Sequence, residues 1–257
     1  RRSSDLQFDI PANKRGQYLD PTTTYIKFKA TYTHGGLSGT DYSCLLGTGY
    51  SYFNKQEVYG NNSVTLESIN ELGVLANMLM NVQLNNADKC GLAPALGFGD
   101  DPRYMSNIGH GIFESTTNNL TFSYAMPIIG ILGSGTDKYI PIGDFYALRY
   151  ELTVDNFANF LLNLTAKVNG LTLSEFEFCG QVIELDGSSQ ALIEQANPNM
   201  IHIRSQSYRT ATNFLQASSS GLQDLLIGTR VSSLKSIFAT FSPSNVAEGK
   251  FGSVCPN

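Results

Sequence analysis

The chain has 257 residues, 42% of them hydrophobic but only 15% charged, with a net charge of −5. That length can bury one large core or two ordinary ones, while the acidic balance, with no polybasic run beyond Arg1-Arg2 and Lys14-Arg15, argues against direct wrapping of nucleic acid. Four dispersed cysteines (Cys44, Cys90, Cys179, Cys255) make neither a zinc motif nor a disulfide scaffold, and no 18-residue apolar run suggests a membrane-spanning helix.

Charge is low against the roughly 25% of ordinary soluble domains. Tyrosine (13), phenylalanine (15), glycine (24) and many hydroxyl residues fill the difference, a composition suited to an all-β protein with many turns.

Residues 6–12 (LQFDIPA) alternate apolar and polar and predict a first strand. Asp20-Pro21 predicts a turn, because proline presets its own φ and aspartate caps the bend. Residues 24–33 (TYIKFKATYT) set Tyr25, Lys27 and Lys29 against Ile26, Phe28 and Ala30, the period of a half-buried strand. Residues 50–59 and 63–69 predict two strands joined by Gly60-Asn61-Asn62, residues that tolerate positive φ.

The period then changes. Ile69, Leu72, Leu75, Ala76, Leu79 and Met80 recur at helical steps, with Asn70 as cap and Glu71 favouring the positive N-terminus. Residues 85–107, rich in Gly, Pro, Asp and Asn, predict a long irregular loop. Residues 113–126 return to β, with Leu120, Phe122 and Tyr124 on one face. Residues 128–142 read as two short apolar segments around Gly133-Ser134-Gly135, and residues 148–154 (LRYELTV) as the last strand of a first domain.

Residues 156–164 suggest a short helical linker, and residues 172–185 (TLSEFEFCGQVIEL) a strong strand. A short helix over 188–196 ends at Asn197-Pro198. Residues 202–214, 224–230 and 234–241 predict further β-runs. About eight strands thus precede residue 154 and three or four follow residue 171. The division expected is 1–155 as a first domain, 156–171 as linker and 172–257 as the start of a second, with missing strands expected beyond the chain or on another piece of the gene product.

Residues 18–29 (YLDPTTTYIKFK), 50–75, 138–154 (KYIPIGDFYALRYELTV), 173–185 and 230–243 (RVSSLKSIFATFSP) stand in an order that resembles the double-jelly-roll major capsid proteins of the Polinton-like virus and virophage type. The resemblance runs along most of the chain and includes no catalytic motif. It implies a viral jelly-roll β-sandwich with a few short helices. Residues 50–75 would be the strands before the helix of the first jelly roll, and residues 173–185 the opening of an incomplete second one. It further implies a trimer of pseudo-hexagonal outline that tiles an icosahedral shell in the virion, with penton and minor capsid or cement proteins as further partners.

Candidate chemistry is sparse. His34, His110 and His202 lie in separate segments, outside any metalloprotease or nucleophile motif. The glycine-rich stretches 47–49, 97–99 and 130–135 lack the lysine and hydroxyl of a phosphate loop and read as turns. Asp100-Asp101 lacks the alternating carboxylates of a calcium loop. Glu175 and Glu177 share one strand face, where solvated charges are the usual case although an acid–base pair has the same spacing. Sequons at Asn61, Asn119 and Asn163 are common by chance in an Asn-rich chain. No catalytic, cofactor or metal residue is assigned. Three classes of function remain: a self-assembling shell protein, a carbohydrate-binding or adhesin jelly roll (weakened by the lack of tryptophan), and a glycosidase-like enzyme needing a carboxylate pair.

Overall fold

The computed structural model describes residues 5–11, 14–34, 43–97, 108–112, 119–133, 135–145, 148–163, 168–198, 200–213, 222, 224, 226–228 and 231–240. Ten strands and four α-helices are defined among them. β1 (Asp5–Ile10), β8 (Leu148–Val154), β4 (Phe53–Tyr59) and β5 (Thr65–Asn70) form one antiparallel sheet in that order. β10 (Val168–Glu184), β2 (Gln17–His34) and β7 (Asn119–Pro127) form a second, and β6 (Ile108–Ile112), β3 (Ser43–Leu46) and β9 (Leu161–Asn163) a third.

The pairings are nested. β1 pairs with β8, β2 with β7, β3 with β6, and β4 with β5, all antiparallel. A chain folded at its middle and wound as one double ribbon gives this order, which is the winding of a jelly roll. Eight strands before residue 155 are used in it; β1, β2, β4, β5, β7 and β8 lie on runs that the alternation suggested, whereas β3 and β6 were not foreseen. The hairpin β4–β5 continues the first sheet through the pairing of β4 with β8.

Aromatic residues fasten the first two sheets face to face. Ile26, Phe28, Ala30 and Tyr32 of β2 are buried, as the alternation with Tyr25, Lys27 and Lys29 requires. Phe28 lies 5.4 Å edge-on to Phe53 of the opposite sheet and is stacked between Tyr124 at 5.0 Å and Phe176 at 5.4 Å. Tyr150 of β8 meets Phe178 of β10 at 6.1 Å. Such ring pairs add about 0.5–1.5 kcal/mol each beyond their buried area.

Asp20-Pro21 does not end a strand. Asp20 Oδ1 accepts from the Thr22 backbone N–H (2.9 Å) and from its hydroxyl (2.7 Å), as a turn would. The pairing partners nevertheless jump from Asp20 to Tyr25 between Gln181 and Cys179, so the chain bulges and β2 runs on. In the β4–β5 connection the positive φ falls on Ser63 (59°) and not on residues 60–62.

The helix begins later than its periodicity suggested. α1 spans Leu72–Gln83, Asn70 completes β5, and Glu71 is the N-cap with φ 55°. Leu72, Ala76, Leu79 and Met80 are buried, while Ile69 is buried from the strand. The expected loop over 85–107 contains α2 (Asn86–Leu96), and β6 begins just after it at Ile108. Asn85 Oδ1 caps the helix by accepting from the Asp88 N–H (2.8 Å), and Leu92 and Leu96 pack on the core, which offsets the unfavourable Gly91 and Pro94.

Residues 128–133 make turns in place of a strand, and Ile140 forms a single bridge to Leu19. Residues 156–164, read as a helical linker, contain α3 (Phe157–Phe160) and then β9, which pairs with β3. β10 confirms the strong strand over 172–185 and pairs with β2 along its length. α4 (Gly187–Ala196) follows, capped by Asp186, whose Oδ1 accepts from the Ser189 N–H (2.9 Å). The described parts of 202–214, 224–230 and 234–241, expected as β-runs, belong to no assigned strand or helix.

Candidate functional site

The outer face of the second sheet is ionic. Lys27 of β2 reaches Glu177 of β10 (3.1 Å), and Lys29 reaches Glu175 (2.7 Å). The Glu177 carboxylate, by hydrogen bond and charge, holds the Lys27 ammonium above its ordinary pKa. Glu175 takes a left-handed φ of 53°, and the register shifts between Ser174 and Glu177. The two carboxylates that share a strand face are therefore each paired with a lysine of the neighbouring strand, beside the bulge. Lys14–Glu184 (3.3 Å) and Arg15–Glu194 (3.1 Å) extend the ionic face toward α4.

A second feature is apolar. Among the described residues between 222 and 237, Leu222, Leu226, Ile227, Val231, Leu234 and Ile237 are all exposed, from 48% to 93%. Val182 of β10, Leu192 of α4 and Met200 are exposed as well. Single exposed apolar residues are ordinary, whereas several in succession along one segment are not.

Two polar clusters lie inside the sandwich. The Tyr52 hydroxyl meets those of Tyr32 (2.5 Å) and Tyr124 (2.9 Å), and burial raises the phenol of Tyr52 well above its ordinary value. The other cluster surrounds Glu67 on β5, which is 2% exposed. Its Oε2 accepts from the Ile131 N–H (3.0 Å). Burial pushes its carboxyl up to about 7, against the opposing influence of the Ile131 N–H, Ser207, Arg209 and Gln56. Beside it, the Tyr150 hydroxyl donates to Gln56 Oε1 (2.9 Å), and Gln56 Nε2 donates to the Ile129 carbonyl (2.5 Å).

Neither cluster was singled out from the sequence. The signal for Glu67 was present in the alternation, because a strand that buries Ile69 turns Glu67 to the same face. Gln56 was less legible. It points inward with Phe53, three residues away, because the pairing of β4 with β8 slips by one residue between Phe53 and Lys55.

The histidines are not brought together: His34 ends β2, His110 lies in β6, and His202 is an exposed residue whose carbonyl accepts from Lys138 Nζ (2.8 Å). Asp100-Asp101 lies outside the described residues. Of the sequons, Asn61 is exposed in the turn after β4, Asn119 is exposed at the start of β7, and Asn163 ends β9. Among the described residues no cluster of three or more His, Cys, Asp and Glu side chains is arranged to hold a metal ion, and no helix is long and apolar enough to cross a membrane.

No protein-family model matches the sequence, and no curated protein matches it. Among solved structures, the chain is similar to one from the cryo-EM structure of the Sputnik virophage, at a TM-score of 0.46 and 11% identity over 71% of this chain and 44% of that one. It is also similar to PBCV-1 VP54 as fitted into a reconstruction of the virophage Sputnik (TM-score 0.47, 11% identity, 74% of this chain and 40% of that one). A third similarity is to the STIV MCP (TM-score 0.39, 12% identity, 74% and 46%). The chain spans less than half the length of each of these structures.

Proposed function

We propose that this protein is a major capsid protein, a structural subunit that associates with copies of itself to build a viral shell. The observation that carries this reading is the succession of exposed apolar side chains from Leu222 to Ile237 beside a jelly-roll sandwich. Burial of such surface between subunits drives association at roughly 25 cal/mol per Å², and the low charge limits repulsion between neighbours. The order of the sequence segments supports the same reading. In it, residues 1–155 are the first jelly roll, 156–171 the linker and 172–257 the beginning of a second.

The assembly unit in this reading is a trimer of pseudo-hexagonal outline, set in an icosahedral shell with penton and minor capsid proteins as neighbours. The protein works as a building block in the virion and not as an enzyme. Analytical ultracentrifugation with negative-stain imaging of the full-length protein tests this. Trimers, or hexagonal particles about 70–100 Å across, are expected from sandwich widths. A monomer that persists at high concentration overturns the reading.

A further inference from the structure

Three parts of the chain converge on Glu67. The β4–β5 hairpin supplies the residue itself, opposite Val58 in the pairing register. The turn after β7 contributes the Ile131 N–H, and Gly130 presses so closely on the carboxylate that any Cβ there would overlap it. The segment 202–210 lies over the same side. It is held by a pair of bonds between Asp137 and Arg204 (Asp137 N–H to the Arg204 carbonyl, 3.0 Å, and Arg204 N–H to Asp137 Oδ1, 2.9 Å). Lys138 Nζ bonds the His202 carbonyl, the Thr210 hydroxyl bonds the Asn70 carbonyl (2.8 Å), and Tyr208 packs on the core.

This strap has no sheet ladder, so its attachment rests on a handful of bonds and on what lies beneath it. Beneath it is a carboxylate oxygen, Glu67 Oε1, that is buried without a hydrogen-bond partner. An ionised carboxylate placed so is costly, and a neutral acid is much less so. The groups that bear on it are Gln56 from β4, Tyr150 from β8, the Ile131 N–H from the turn, and Ser207, Tyr208 and Arg209 from the strap. Arg209 is the cation among them, and it is exposed.

We propose that Glu67 is a pH-responsive latch: ionisation of its buried carboxyl loosens the 202–210 strap and the 130–133 turn from the β4–β5 hairpin. The direction follows from linkage. A loosened, hydrated Glu67 titrates at its ordinary 4.5, whereas the docked one titrates at about 7. The docked form therefore holds a proton that the loosened form has released. Docking is strongest below about 4.5, weakens as pH rises through the interval, and levels off above 7.

Amide hydrogen exchange on the full chain at pH 6 and pH 8, corrected for the intrinsic rates, tests the latch. Protection of the Ile131, Asp137 and Arg204 amides is expected to fall about tenfold between the two pH values, while amides of the β2–β7 ladder keep theirs. Glu67→Gln is expected to abolish this dependence and to protect the strap at both pH values as the wild type does at pH 6. Equal protection at pH 6 and 8 in the wild type, or an undiminished dependence in Glu67→Gln, overturns the proposal. Should the variant not fold, the wild-type carboxyl is titrated directly by carbon-13 NMR, and a midpoint in the ordinary carboxylate range overturns it equally.

Discussion

Gly130 and Glu67 share one small volume. Gly130 adopts φ +94°, in the left-handed region, with its α-carbon against the Glu67 carboxylate, so a side chain at 130 would be both strained and in collision. A position that only glycine fits sits against a carboxyl whose titration burial raises. Gly130→Ala is expected to lower stability by about 2–4 kcal/mol, roughly 1–3 of it from backbone strain. In the Glu67→Ala background the collision is gone and only the strain remains, so the added cost of Gly130→Ala should fall to about 1–3 kcal/mol. Urea denaturation of the four members of this double-mutant cycle measures the difference, and simple additivity would contradict the shared volume.

Phe28 is the centre of the aromatic core. It touches rings from both sheets, including Phe53 opposite and Phe176 on β10, and it is fully buried. Phe28→Ala is expected to cost about 3–5 kcal/mol, from lost transfer energy and from the cavity left between the sheets. Chemical denaturation followed by tyrosine fluorescence and circular dichroism checks this. A loss under 1 kcal/mol would mean that the sheets close over the gap or do not depend on this ring.

Tyr52 carries the hydroxyl that both Tyr32 and Tyr124 address. Tyr52→Phe keeps the ring and removes that oxygen, at an expected cost of about 1–3 kcal/mol. The pH profile gives an independent reading. Folded Tyr52 ionises well above its ordinary 10.0, while the unfolded phenol ionises at that value. Its contribution is complete below pH 10 and is lost as pH rises above it, since the unfolded state then releases a proton that the folded state keeps. The alkaline loss of stability should be shallower in Tyr52→Phe than in the wild type, and identical slopes would show that other groups govern it.

The ion pairs of the outer face predict the opposite. Lys27–Glu177 and Lys29–Glu175 join half-exposed side chains, where water and salt screen the attraction. Glu177→Gln is expected to leave the unfolding midpoint unchanged within error in 0.15 M salt, a typical physiological ionic strength. Glu175→Gly should raise it, because Glu175 holds a left-handed φ that glycine adopts without strain. Thermal unfolding of the two variants side by side checks both.

Where a strand's own alternation decides its fate, the sequence is a sufficient guide. Lys27 and Lys29 against Phe28 and Ala30 fix which face of β2 is buried, whatever surrounds it. The same holds for β8 and β10, and the helical period places α1 to within a turn. Local chemistry was read well where it acts locally, as at Asp20, whose carboxylate bonds the backbone two residues on. Its consequence at Asp20 was not legible: whether an Asp-Pro bend ends a strand or only bulges it depends on the neighbouring strand, and β10 pairs on both sides of it. Asn86–Leu96 failed as a loop for a related reason, since Leu92 and Leu96 find a core that their own segment does not announce.

By itself, then, the chain determined its class: many amphipathic strands, one good helix, few charges and no concentrated chemistry. Those properties are sums over neighbouring residues, and neighbours are what a sequence records. The nesting of β1 with β8, β2 with β7 and β3 with β6 was decided by tertiary structure, because antiparallel pairing over such separations rewards contacts that no local period encodes. The Glu67 cluster is of the same kind. Residues 67, 130 and 207–209 acquire a common meaning only when folding removes the water between them, and the loss of that water raises the carboxyl.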